Sequence, residues 1–191
     1  IGCAPLVIET DAPRADESFD KNYKPDRILV DGETVPGDGW TIEAVATPGH
    51  TSNHLCLAVQ ASGALFTGDH VMAWSTSVIM PPDGNMADYM ASLQKLYERE
   101  DKIYYPAHGK KVTNPRQLVR GMMGHRKQRE RQILKLLETG PAAITEMVPQ
   151  MYKGLDPRLT GAAGQSVRAH LIDLLDRGLV AQSGEVWSMD G

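Results

Sequence analysis

The chain has 191 residues, 41% of them hydrophobic and 23% charged, with a formal net charge of −4; that is enough apolar sequence to bury a core as one large domain or two small ones. No run approaches the roughly 18 consecutive apolar residues that a membrane span needs. The start, Ile1-Gly2-Cys3-Ala4-Pro5, lacks the charged-then-apolar order of a signal peptide, so no membrane role and a cytoplasmic location are expected.

Cys3 and Cys56 are too few for a disulfide framework and lack metal-ligand spacing, so both read as buried or incidental thiols. The first residue is Ile rather than Met and leads directly into strand or loop, which predicts a start inside a longer gene product. Acidic residues crowd positions 9–38. Residues 27–30, 40–46, 55–59 and 64–66 are predicted as short strands, with Asp31-Gly32 and Ser62-Gly63 supplying the positive φ of tight turns.

After Pro81-Pro82 the period changes. Met86, Tyr89, Met90, Leu93, Leu96 and Tyr97 recur at helical spacing behind Asp83 or Asn85 as N-cap. One more strand is predicted at 103–105. Asn114-Pro115 then signals a helix over 115–138, weakened by Gly121 and Gly124 and closed by Gly140-Pro141. Shorter helices are predicted at 145–152 and 164–177, the latter with Val167, Leu171, Leu174 and Leu175 as its buried stripe, and a hairpin over 179–189 follows. Three helices and a hairpin form a winged-helix pattern. The division is therefore a sheet-and-helix unit over 1–113 and a helical unit over 114–191.

Arg116, Arg120, Arg126, Lys127, Arg129, Arg131 and Lys135 lie close together. Such a run reads first as a solvated helix face and alternatively as a surface that meets an anion.

Three predicted strand ends carry the chemistry: Thr47-Pro48-Gly49-His50-Thr51-Ser52-Asn53-His54, Phe66-Thr67-Gly68-Asp69-His70 and Tyr105-Pro106-Ala107-His108-Gly109. Each sets His or Asp beside glycine where ligands gather. Imidazole and carboxylate donors together suit a borderline divalent ion. A single His or Asp in a turn would be read as capping or packing; three such ends together point to a site.

These motifs, TPGHTSNH, then GD and a strand-terminal PAHG, resemble the later metal motifs of the metallo-β-lactamase superfamily. The continuation GDHVMAWSTS is similar to its branch related to the mitochondrial endoribonuclease and acyl-carrier-protein thioesterases. The resemblance implies an α+β fold: the second half of an αβ/βα sandwich followed by a winged-helix-like C-terminal domain. It also implies a hydrolase that uses zinc-activated hydroxide on an ester, thioester or phosphodiester.

Carried over by position, His50 would bind the first zinc, Asp69 both, and His108 the second. His54 would orient a ligand from behind, and His70 joins Asp69 as the candidate catalytic pair, either orienting a ligand or lining the pocket. The complete fold would hold two zincs, this chain one or none, because the family's HxHxDH motif is missing: no two of the six histidines, at 50, 54, 70, 108, 125 and 170, stand two apart. The expectation is thus a truncated, inactive portion of a hydrolase.

Its substrate would be a small or acidic molecule such as an RNA strand or a phosphopantetheine arm, guided by the appended domain. The missing N-terminal half or self-association would cover an open sheet face that includes Ile42, Leu55, Leu57 and Leu65. The alternative is a nucleic-acid-binding winged helix with the sheet as scaffold, although Asp173 and Asp176 offset Arg168, His170 and Arg177 on its reading helix.

Overall fold

The structure is a computed structural model that describes residues 24–73 and 75–190. Cys3, the predicted opening segment and most of the acidic stretch lie outside the described residues. Five strands, β1 (Thr34–Pro36), β2 (Thr41–Ala46), β3 (Leu55–Val59), β4 (Ala64–Gly68) and β5 (Ile103–Pro106), form one sheet in sequential order. The first three pairings are antiparallel. β4 and β5 are parallel, a pairing that requires a crossover, and helix α1 (Met86–Glu98) makes it.

Period-two alternation divides the sheet cleanly. Val45 pairs with Cys56, Ala58 with Leu65, and Leu65 with Tyr104; this face packs against Tyr89, Leu93 and Leu96 of α1 in the first hydrophobic cluster. Asn85 caps α1 as expected, its side chain accepting from the Asp88 N–H. On the other face the row Ala44, Leu57, Phe66, Tyr105 runs across four strands. Phe66 and Tyr105 stack there at 5.4 Å between centroids, and Phe66 remains 47% exposed.

Leu65, expected on the open face, is therefore on the covered one and 0% exposed. Alternation fixes which residues share a face but not which face is covered. Residues 27–30 are not a strand. There the carboxylate of Glu33 takes the Arg27 guanidinium and the Val30 N–H, so a side chain does the work of a ladder, and β1 starts at Thr34.

Helix α2 (Pro115–Leu137) sends Val119 and Met122 into the first cluster, and Ile133 and Leu137 into a second built with α3 (Ile144–Met151) and α4 (Thr160–Asp176). The expected division after residue 113 falls just before this shared helix. Asn114 does not cap it; its amide donates to the Gln117 side chain.

α4 starts earlier than its glycines suggested. The Asp156 carboxylate caps a 3-10 turn at Pro157–Leu159 that runs straight into it. β7 (Val180–Ser183) and β8 (Val186–Met189) form the expected hairpin, and a two-residue strand, β6 (Ala142–Ala143), adds to its β8 edge. Two residues are too few to show a period. Among the described residues no helix is long and apolar enough to cross a membrane.

Candidate active site

β2 ends at Ala46, and the chain turns through Thr47-Pro48-Gly49 to His50. Gly49 has φ +130, and a Cβ there would stand 2.3 Å from the Cα and N of Tyr89, so the turn lies directly on the start of α1. Two hydrogen bonds fix it: Asn85 N–H to the Gly49 carbonyl at 2.9 Å, and Ser92 Oγ to the Pro48 carbonyl at 2.8 Å. His50 leaves this turn with Nδ1 2.6 Å from the Val78 carbonyl. A carbonyl only accepts, so Nδ1 carries the proton and Nε2 presents its lone pair.

His54 sits behind the turn. Its Nδ1 is 2.8 Å from the Thr47 hydroxyl, and its Nε2 would be 2.6 Å from a Cβ on Gly68, which has φ +51. Glycine at 68 thus makes room for the ring. Burial, with help from neighbouring His50 and against the pull of Asp69, lowers the His54 pKa to about 4.

β4 ends at Gly68 and β5 at Pro106, and Ala107 N–H donates to the Gly68 carbonyl at 3.0 Å, aligning the two ends. This brings the His108 Nε2 to 3.4 Å from Asp69 Oδ1. That carboxylate oxygen is buried and accepts no hydrogen bond. A buried carboxylate oxygen without a donor is costly, and its chemistry fits a cation held together with the neighbouring imidazole.

Among the described residues no three His, Cys, Asp or Glu side chains converge into a cluster that would hold a metal ion unaided. The structure joins Asp69 and His108, and leaves His50 outside that pair, held by Val78.

His70 is placed differently from the expectation. It is 0% exposed, neither ring nitrogen has a partner, and the ring packs 4.7 Å from that of Tyr89 and 5.6 Å from that of His54. Burial holds its pKa well below the usual imidazole range. The ring is thus a buried group packed beneath the site, not one that lines an open pocket. Cys56 is buried as expected, its thiol pushed up to about 12 mainly by burial.

Sequence reasoning missed Ser77 and Arg126. Ser77 Oγ donates to the carbonyls of Asp69 and of His70, the latter at 2.9 Å. The Arg126 guanidinium donates to the Ser77 carbonyl and is 3% exposed, so this member of the basic run is not on a solvated face. Nor is Arg129 wholly solvated: it donates to the Met151 carbonyl and lies over the Tyr152 ring. The signal was available, since Val119, Met122, Arg126, Ile133 and Leu137 share one helical stripe.

Beside His108, whose carbonyl receives the Ala73 N–H at 3.5 Å, an open groove of about 700 Å³ has Met72, Val112, Leu118 and Met122 as apolar lining and Lys110 and Lys111 as cations.

Residues 5–108 match the metallo-beta-lactamase superfamily, and residues 143–187 match the beta-lactamase associated winged helix domain. The chain belongs to the metallo-β-lactamase superfamily. It is similar to an atrochrysone carboxyl ACP thioesterase of Aspergillus fumigatus, 36% identical over 61% of this chain and 36% of that protein. It is also similar to a beta-lactamase-like protein 2 homolog of Caenorhabditis elegans, 34% identical over 78% of this chain and 50% of that one.

Two solved structures share the fold. They are a metallo-beta-lactamase family protein of Thermus thermophilus (TM-score 0.74, 23% identity, 84% of this chain and 53% of that one) and a beta-lactamase domain protein of Burkholderia ambifaria (TM-score 0.78, 23% identity, 85% and 52%). The chain spans half or less of the length of these curated relatives. The architecture is α+β and ends in a winged helix, as the two family matches and the two solved structures have it.

Proposed function

We propose that His50, Asp69 and His108 are part of the metal centre of a thioester hydrolase, with zinc as the metal and an acyl group on a phosphopantetheine-type arm as substrate. The observation that carries this reading is the buried Asp69 Oδ1, which accepts no hydrogen bond and faces the His108 Nε2 at 3.4 Å. When bound, a divalent ion would polarise the thioester carbonyl and lower the pKa of water toward about 7.

The chain's own residues contribute orientation and charge. His50 offers Nε2 because its Nδ1–H is committed to the Val78 carbonyl, an arrangement typical of metal-ligating imidazoles. Asp69 supplies the negative charge, and His54, held neutral by burial, adds no competing cation at neutral pH. The groove beside His108 is of ordinary ligand size; Lys110 and Lys111 attract the phosphate of the arm while the apolar lining takes the acyl chain. The thioesterase named among the relatives favours a thioester over other substrates.

The alternative, a nucleic-acid-binding winged helix, has less support. Arg177 on the helical unit is paired with Glu130 at 3.1 Å and Asp173 at 3.6 Å, and His170 is buried, which leaves the exposed Arg168 as the cation that α4 offers to phosphates.

Because the sequence lacks HxHxDH, three donors act without a full cage, and we expect weak zinc binding and little turnover from these 191 residues. Binding is therefore the decisive assay. A non-hydrolysable acyl-coenzyme A thioether should bind saturably, and Lys110→Glu with Lys111→Glu should weaken it about tenfold or more, as loss of charge attraction predicts. No binding of the thioether, with salt-sensitive binding of an oligoribonucleotide, would replace the thioester with RNA.

A further inference from the structure

Arg126 sits midway along α2 at the point where the two hydrophobic clusters meet, and is 3% exposed. Among the described residues no carboxylate pairs with it. A buried cation without a counter-ion is kept only where its hydrogen bonds are specific.

Its bonds form a chain that ends at the backbone of Asp69 and His70. One nitrogen donates to the Ser77 carbonyl and another to Ser166 Oγ on α4 at 3.3 Å, and the guanidinium lies over the Tyr89 ring at 5.1 Å. Ser77 in turn donates through Oγ to the carbonyls of Asp69 and His70. Tyr89 Oη donates to the same His70 carbonyl at 3.1 Å. The next residue, Val78, accepts from His50. One planar, multi-donor group thus reaches the main chain that positions both Asp69 and His50, and also touches the winged-helix unit.

We propose that Arg126 is a positioning residue: it holds Ser77 and Val78 against the backbone of Asp69 and His70 and against His50, and ties them to α4. The metal part of this inference rests on the function proposed above; the clamp does not. Lysine would keep the charge but not the fork that spans Ser77 and Ser166, and methionine would keep the bulk alone.

The test compares wild type with Arg126→Lys, Arg126→Met and Ser77→Ala, all metal-free, by hydrogen exchange, and then by zinc titration against a chromophoric chelator. Amide exchange across 69–80 should speed up at least about tenfold in Arg126→Met and Ser77→Ala and less in Arg126→Lys, while exchange in β7 and β8 stays within about threefold of wild type. Zinc affinity should fall by about 10- to 100-fold in the same order, the range typical for partners that orient ligands. Ser77→Ala removes one small hydroxyl, so it reports even if Arg126→Met fails to fold.

Unchanged exchange at 69–80, or equal acceleration everywhere, would overturn the clamp and leave Arg126 a general packing residue. Faster exchange at 69–80 together with zinc binding that His108→Ala also leaves unaltered would uphold the clamp and remove the metal reading instead.

Discussion

Acidification should destabilise this protein through His170, and the size of the effect can be worked from its surroundings. The ring is 2% exposed on α4, and neither nitrogen has a hydrogen-bond partner. Burial lowers its pKa from 6.5 to about 3, with Arg126, His125, Arg129 and Arg177 adding repulsion; Asp173 and Glu130 line the same cavity without reversing this.

The folded state therefore keeps His170 neutral, while the unfolded chain protonates it near 6.5, so stability is full above that pH and drains away as pH falls toward about 3. Between pH 6.5 and 5 the loss is about 1.5 pH units at about 1.36 kcal/mol each, or about 2 kcal/mol. Against a typical total of about 5–15 kcal/mol that is a visible loss. The assay is urea unfolding at about pH 7.5 and about pH 5 for wild type and His170→Leu, a substitution of similar volume that cannot titrate. The difference between the two pH values should shrink by about 2 kcal/mol in the variant; equal pH dependence in both proteins would refute the argument.

Other consequences are as direct. Gly49→Ala puts a Cβ 2.3 Å from the Tyr89 backbone at φ +130 and should cost about 3 kcal/mol or more in urea unfolding, as strain at a special φ adds to the clash. Leu65→Ala opens a cavity in the covered face and should cost about 2–5 kcal/mol in the same measurement. We expect the half-buried row with Phe66 and Tyr105 to be covered in solution, by a second copy or by further polypeptide, since apolar patches of this kind pair with other surfaces. Light scattering on the chain alone should show association that Phe66→Ser with Tyr105→Ser reduces, and a monodisperse monomer before substitution would count against it.

Local chemistry made much of the molecule legible. The Asn85 cap, the Gly63 turn and the strand-to-glycine ends at His50, Asp69 and His108 depend on neighbours within a few residues, so the sequence displays them. What it did not display depends on what lies across the core. Leu65 and Phe66 alternate perfectly either way, and only α1 decides that Leu65 is covered. His70 follows Asp69 in the chain, yet the turn at the end of β4 sends its ring inward beneath Tyr89. Arg126 looked solvated because charge outweighed position, although it falls on the apolar stripe of its own helix. β6 is too short to carry any pattern. For Leu65, His70 and Arg126 tertiary packing overrode the local signal.

The most direct test of the account is zinc stoichiometry by mass spectrometry on the purified chain equilibrated with excess zinc, for wild type, Asp69→Asn and His108→Ala. Bound zinc that a chelator removes is expected in the wild type, with loss of most of it in both variants. Zinc retained undiminished by Asp69→Asn and His108→Ala, or none bound by the wild type, would contradict the assignment of these side chains as a metal centre.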